Sequence, residues 1–236
     1  MKPLLPLLAF AISAPIAHSA IIIGNLAAPV TTNVTGSGNI TSINYVPYSA
    51  GPPVVNAGYN AKAVGFIMGA SDYSVTSLTL RLSGVGNMGT DAPTISIYTA
   101  TSGKTAPATL VGTFTNPTFT STAVTDFVFT PTSGITLLAG ASYFITVQQV
   151  NTTGNDLNFQ WENGGTLTDN TNTVPTGEGA THESARYGGG PSAASINLSS
   201  TRHNWYQLEG TAVPEPSSAL LAGLSALFIA RRRRRA

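Results

Sequence analysis

The chain has 236 residues, a formal net charge of +1, only 9% charged residues, 24 glycines and no cysteine. Thiol nucleophiles, thiolate zinc sites and redox motifs are therefore excluded, and no disulfide can support the fold. Between Ala20 and Val213 five basic residues face nine acids, a net of about −4, so nucleic-acid binding has no basic patch to rest on.

The first segment reads as a secretory signal peptide over residues 1–20. Lys2 supplies the positive charge, Leu4 to Ile12 the short apolar run, and Ala17-His18-Ser19-Ala20 a small-residue site for signal peptidase. Cleavage is expected after Ser19 or Ala20, and either position removes His18. The exported body is then about 190 residues without cross-links, a length whose own core can hold it, since chains of that size bury roughly 70% of their unfolded surface.

Period-two alternation runs through residues 21–212, with almost nothing at the helical period. The clearest strand is Val75 to Leu82, in which Leu78, Leu80 and Leu82 face one way and Ser77, Thr79 and Arg81 the other. Ile95 with Ile97, Phe127 with Phe129, and Tyr143, Ile145 and Val147 repeat it. Further strands are expected at Ile40 to Val46, Ala61 to Met68, Thr109 to Phe114, Asn158 to Glu162 and Asn204 to Thr211. Gly84-Val85-Gly86-Asn87, Thr101-Ser102-Gly103-Lys104, Leu138-Ala139-Gly140 and Asn163-Gly164-Gly165 supply the reversals between them. Many short strands separated by turn residues predict one all-β domain, an antiparallel β-sandwich of jelly-roll type. Thr166 to Ser200, rich in Gly, Asn, Thr and Ser, reads as a long surface excursion with irregular edge strands around Ser184 to Tyr187.

Few residues in this body suggest chemistry. His182 and His203 sit in no metal or nucleophile motif, since His182-Glu183 lacks the second histidine of a zinc-protease pair, and both read as satisfied surface or loop residues. Glu162 and Glu183 are the acids to weigh for glycoside hydrolysis, which needs two carboxylates at a set separation that spacing alone does not supply. Asp169, Asn170 and Asn172 offer oxygen atoms to calcium but lack the glycine turn and bidentate glutamate of an EF-hand. No metal, cofactor or catalytic residue is predicted. For glycan contact the candidates are Trp161, Tyr187, Trp205 and Tyr206, amphipathic rings that stack on pyranose faces, with Asn158, Gln160 and Gln207 nearby to bond hydroxyls. The competing assignment is core packing: Phe159 and Trp161 share one strand face, and Trp205 and Tyr206 must point to opposite faces.

The last 24 residues differ in kind. Val213-Pro214-Glu215-Pro216 is followed by an apolar run from Ala219 to Ala230 and by Arg231, Arg232, Arg233, Arg234 and Arg235. The prolines hold the motif extended and stop a helix from propagating back through it. A helix over residues 217–230 would rise roughly 21 Å, short of the roughly 30 Å hydrocarbon core, which suits temporary retention better than lasting anchorage. The arginines contribute about 1 kcal/mol each at an anionic leaflet and resist translocation, fixing that end in the cytoplasm.

These three parts in this order resemble the PEP-CTERM sorting signal over residues 213–236. The resemblance implies an exported protein of a Gram-negative bacterium, transiently held in the inner membrane by a C-terminal transmembrane helix and processed by an exosortase, a membrane transpeptidase. A second resemblance covers roughly Ser42 to Thr211. The strand before Ser83 to Pro93, the strand Thr94 to Tyr98, the Leu138 to Tyr143 turn, the Trp161 strand and the closing Tyr206 to Thr211 strand are similar to the choice-of-anchor surface domains, type R closest. Those domains imply no enzymatic activity. The expected partners are thus signal peptidase, exosortase and exopolysaccharide, and the expected role is that of a non-catalytic component of the cell surface or extracellular matrix. The alternative is a small secreted carbohydrate-active enzyme or carbohydrate-binding module exported by the same route.

Overall fold

A computed structural model of the chain describes residues 19–26, 40–43, 61–85, 93–104, 107–149, 159–164, 174–187, 197–199 and 203–214. The expected signal peptide, apart from Ser19 and Ala20, and the expected C-terminal helix lie outside them. These residues form fourteen strands: β1 (Ser19–Gly24), β2 (Ile40–Ile43), β3 (Ala61–Met68), β4 (Tyr73–Ser83), β5 (Pro93–Ala100), β6 (Pro107–Thr115) and β7 (Thr125–Pro131), then β8 (Thr136–Leu137), β9 (Ser142–Gln149), β10 (Phe159–Gly164), β11 (Ala180–Tyr187), β12 (Asn197–Ser199), β13 (His203–Asn204) and β14 (Tyr206–Ala212). Among the described residues there is no α-helix, and every strand pair is antiparallel.

The strands follow one hydrogen-bonded path, β1-β14-β4-β7-β6-β5-β9-β3-β11-β12, with β10 joining β4, β2 and β13 beside it. Two separately paired sheets were expected; the path instead curls until its first strand meets the segment leading into β11. Gly24 and Thr176 exchange two backbone bonds of 2.9 Å, Glu178 N donates to Ile21 O at 3.0 Å, and Gly179 N donates to Ile22 O at 3.2 Å. The result is an all-β, antiparallel and nearly closed barrel. Closure covers the outer edge of β1, an edge that would otherwise offer unpaired donors and acceptors to other chains.

The alternation seen in sequence explains the interior. Leu78, Leu80 and Leu82 of β4 are fully buried and meet Phe127 and Phe129 of the neighbouring β7. β9 is buried on both faces, since Phe144 and Thr146 are enclosed as well as Tyr143, Ile145 and Val147. β1 departs from strict alternation: a bulge between Ile21 and Ile23 turns both Ile22 and Ile23 inward. Burial of those two side chains stabilises closure by about 1.5–3 kcal/mol each.

One expectation is corrected. The irregular edge strands expected around Ser184 to Tyr187 are instead part of β11, an eight-residue strand paired on both sides, with β3 and with β12. Ser19 and Ala20 begin β1, whose register pairs Ser19 with Thr211 and Ala20 with Gly210, so the expected cleavage after either residue falls at the start of that strand.

Candidate functional site

β4 is the spine of the region holding the expected glycan contacts, because its partner changes along its length. β14 pairs with it from Tyr73 to Leu80, and β10 takes over at Leu82 and Ser83. Trp205 bridges this changeover: its N–H donates to Glu162 O at 2.9 Å, and its carbonyl accepts from Arg81 N at 3.2 Å and from Trp161 Nε1 at 3.0 Å.

The four candidate rings separate accordingly. Trp161 and Tyr206 are fully buried, edge to face with centroids 6.4 Å apart, so neither offers a face to a sugar. Their burial follows from the pleat that aligns Trp161 with Phe159 and Tyr206 with Leu208, all inward. Trp205 is half-buried, and the Arg81 guanidinium lies over one face of its ring, 5.3 Å from the centroid, a cation–π contact. Asp126 holds Arg81 in place through a fork of 2.7 and 2.9 Å bonds. Tyr187 belongs to β11, and its side chain lies outside the described residues, as do Asn158 and the calcium candidates Asp169, Asn170 and Asn172. The four rings therefore do not assemble one exposed glycan platform.

The carboxylates have other partners. Glu162 accepts a hydrogen bond from Ser83 Oγ, and Glu183 lies 3.4 Å from Lys104 Nζ. Gln207 bonds Glu209 rather than projecting freely, and Gln160 accepts from Ser83. Among the described residues no three His, Asp or Glu side chains are grouped to hold a metal ion.

The histidines are the residues that sequence reasoning misplaced. His203 is buried, and His182 has both ring nitrogens enclosed; the two rings meet edge to face at 4.6 Å. Neither His182 nitrogen, nor Nδ1 of His203, has a hydrogen-bond partner. Burial, and then the neighbouring His203, pushes the His182 pKa down from 6.5 to about 4; burial also lowers His203. Both imidazoles are therefore neutral at pH 7, a pair packed as rings across the interior. The inward partner of His182 in the alternation, Ala180, was the available signal.

Val213 and Pro214 of the expected sorting motif continue from β14, while Glu215, Pro216 and Arg231 to Arg235 lie outside the described residues. Val213 N donates to Asp72 O at 2.9 Å, so the sheet's bonding persists to the residue before the motif's first proline. Because β1 and β14 are antiparallel with Ser19 opposite Thr211, the strand after the expected signal peptide begins beside the strand that leads to the sorting motif.

No curated protein and no solved structure matches the chain. Residues 212–235 match the family model of the PEP-CTERM protein-sorting motif, and over that segment the chain is similar to proteins carrying this motif, which implies export, exosortase as processing partner, and sorting to the surface.

Proposed function

We propose that this is a non-catalytic component of the cell surface or exopolysaccharide matrix, made in a Gram-negative bacterium and released from temporary inner-membrane retention by exosortase. The observation that carries this reading is the sorting motif matched over residues 212–235, which follows directly on β14, ending at Ala212. Signal peptidase cuts after Ser19 or Ala20, at the start of β1, the barrel closes outside the inner membrane, and the short apolar run holds it while the arginines stay in the cytoplasm. In this reading the barrel plays the part of a choice-of-anchor surface domain of type R.

The non-catalytic role is supported by where the acids and rings sit. Glu162 and Glu183 have separate partners, Trp161 and Tyr206 are enclosed, and one face of Trp205 is engaged by Arg81. The test is processing in a host that contains exosortase. Glu215→Ala, or deletion of Arg231 to Arg235, leaves the protein unprocessed or misplaced; normal release of both variants contradicts the proposal. Incubation with purified exopolysaccharide yields binding without product. Oligosaccharide release abolished by Glu162→Gln or Glu183→Gln would make the protein an enzyme instead.

A further inference from the structure

One end of the barrel carries exposed apolar side chains beside the start of the sorting segment. Its last rung runs from Val213 through Asp72 to the turn after β8: Val213 N donates to Asp72 O at 2.9 Å, and Asp72 Oδ1 accepts from Ala139 N at 2.7 Å. A further bond of 2.9 Å from Gly140 N to Gly69 O ties this turn to the β3–β4 turn, and Gly140 adopts φ 68, the left-handed conformation that lets the turn be tight. On this rigid rung two large apolar side chains face outward, Leu138 at 54% and Val213 at 39% exposure. Ile21, 37% exposed, lies farther along β1, opposite Glu209.

Chain length limits how this end can be oriented. Residues 214–218 separate the sheet from the apolar run beginning at Ala219, and five extended residues span at most ~17 Å. A compact body of about 190 residues has a radius of gyration of roughly 16 Å, hence a radius of about 21 Å. A tether shorter than the radius, attached at one end, cannot let the opposite end turn to the bilayer.

We propose that the Val213–Asp72–Leu138 end of the barrel rests on the phospholipid surface while the protein is retained, with Leu138 and Val213 entering the interfacial layer. The inference rests on the membrane retention proposed above. Asp72 is engaged by Ala139 N, and the exposed Glu178 beside Ile21 would be repelled by anionic lipid, so tether and apolar contact drive the docking rather than charge. Ser19 lies at the same end, opposite Thr211, so a signal peptide not yet removed reaches the same bilayer without disturbing the barrel.

The absence of cysteine makes the test clean. Three single-cysteine variants of the full chain, Leu138→Cys, Val124→Cys at the opposite end, and Ala226→Cys within the apolar run, carry an environment-sensitive fluorophore in phosphatidylcholine vesicles. The proposal predicts blue-shifted emission and several-fold weaker quenching by aqueous iodide at 138 and 226, and free quenching at 124. A label at 226 shielded while 138 quenches as freely as 124 overturns the docked orientation alone. A label at 226 that stays in water overturns membrane retention and the orientation together. Shielding of 138 only after exosortase is added identifies the enzyme, not lipid, as the occupant and overturns the proposal.

Discussion

Acid should weaken this barrel through the His182–His203 pair. Unfolding releases both rings to water, where a histidine titrates near 6.5, whereas folded His182 titrates near 4. The unfolded chain therefore binds the extra proton between these values. This contribution to stability is complete above pH 6.5 and disappears as pH falls toward 4. A difference of about 2.5 units corresponds to about 3.4 kcal/mol; solvent reaching part of His182 screens this to about 2–3 kcal/mol, of which about 2 kcal/mol is gone by pH 5. His203, lowered in the same direction, steepens the loss. Urea unfolding of the full-length protein in mild detergent, followed by tryptophan fluorescence at steps from pH 7.5 to pH 4.5, measures it. His182→Phe retains an aromatic ring and removes the proton site, so its profile should be distinctly flatter than that of the wild type. Superimposable profiles for the two proteins would refute the assignment.

Three further substitutions test the packing. Tyr206 is fully buried and its hydroxyl has no hydrogen-bond partner, so Tyr206→Phe should be neutral or stabilising by up to about 1 kcal/mol in the same assay. Asp126→Asn keeps the shape but leaves the Arg81 charge uncompensated beside Trp205; with Asp126 partly exposed, the loss should be about 1–2 kcal/mol and diminish in high salt. At Gly177 an added Cβ would collide with the backbone carbonyl of Ile22. Gly177→Ala should therefore displace the segment that covers β1, cost about 2–4 kcal/mol, and speed hydrogen exchange at Ile21 to Gly24; unchanged protection there would count against barrel closure through this contact.

The strand content was legible because alternating burial writes itself into the sequence. Ala61 to Met68 was read with the bounds that β3 has, and the Leu78, Leu80 and Leu82 face is the buried face of β4. β1 was missed because Ser19 and Ala20 fit a cleavage site and their partners, Thr211 and Gly210, lie near the other end of the sequence. β11 was obscured by polar residues, whose pairing with β3 includes a bulge between Glu183 and Ala185 that breaks the alternation. The course of the sheet into a near-barrel depends on that same long-range closure, which no local pattern encodes. Among the candidate contacts, the opposite facing of Trp205 and Tyr206 followed from adjacency alone, and the structure encloses Tyr206 while leaving Trp205 half-exposed. The cation on Trp205 was invisible, since Arg81 reaches it from a strand that local alternation assigned to an open face. The sorting motif was legible, because it depends on composition and order rather than on packing.

The most direct measurement of the central claim is the intact mass, with both end residues, of the protein recovered from the native cell surface. A chain beginning after Ser19 or Ala20, ending close to Pro214-Glu215-Pro216 and lacking Ala219 to Arg235 is the predicted product. Surface material that retains the apolar run and its five arginines would contradict exosortase processing.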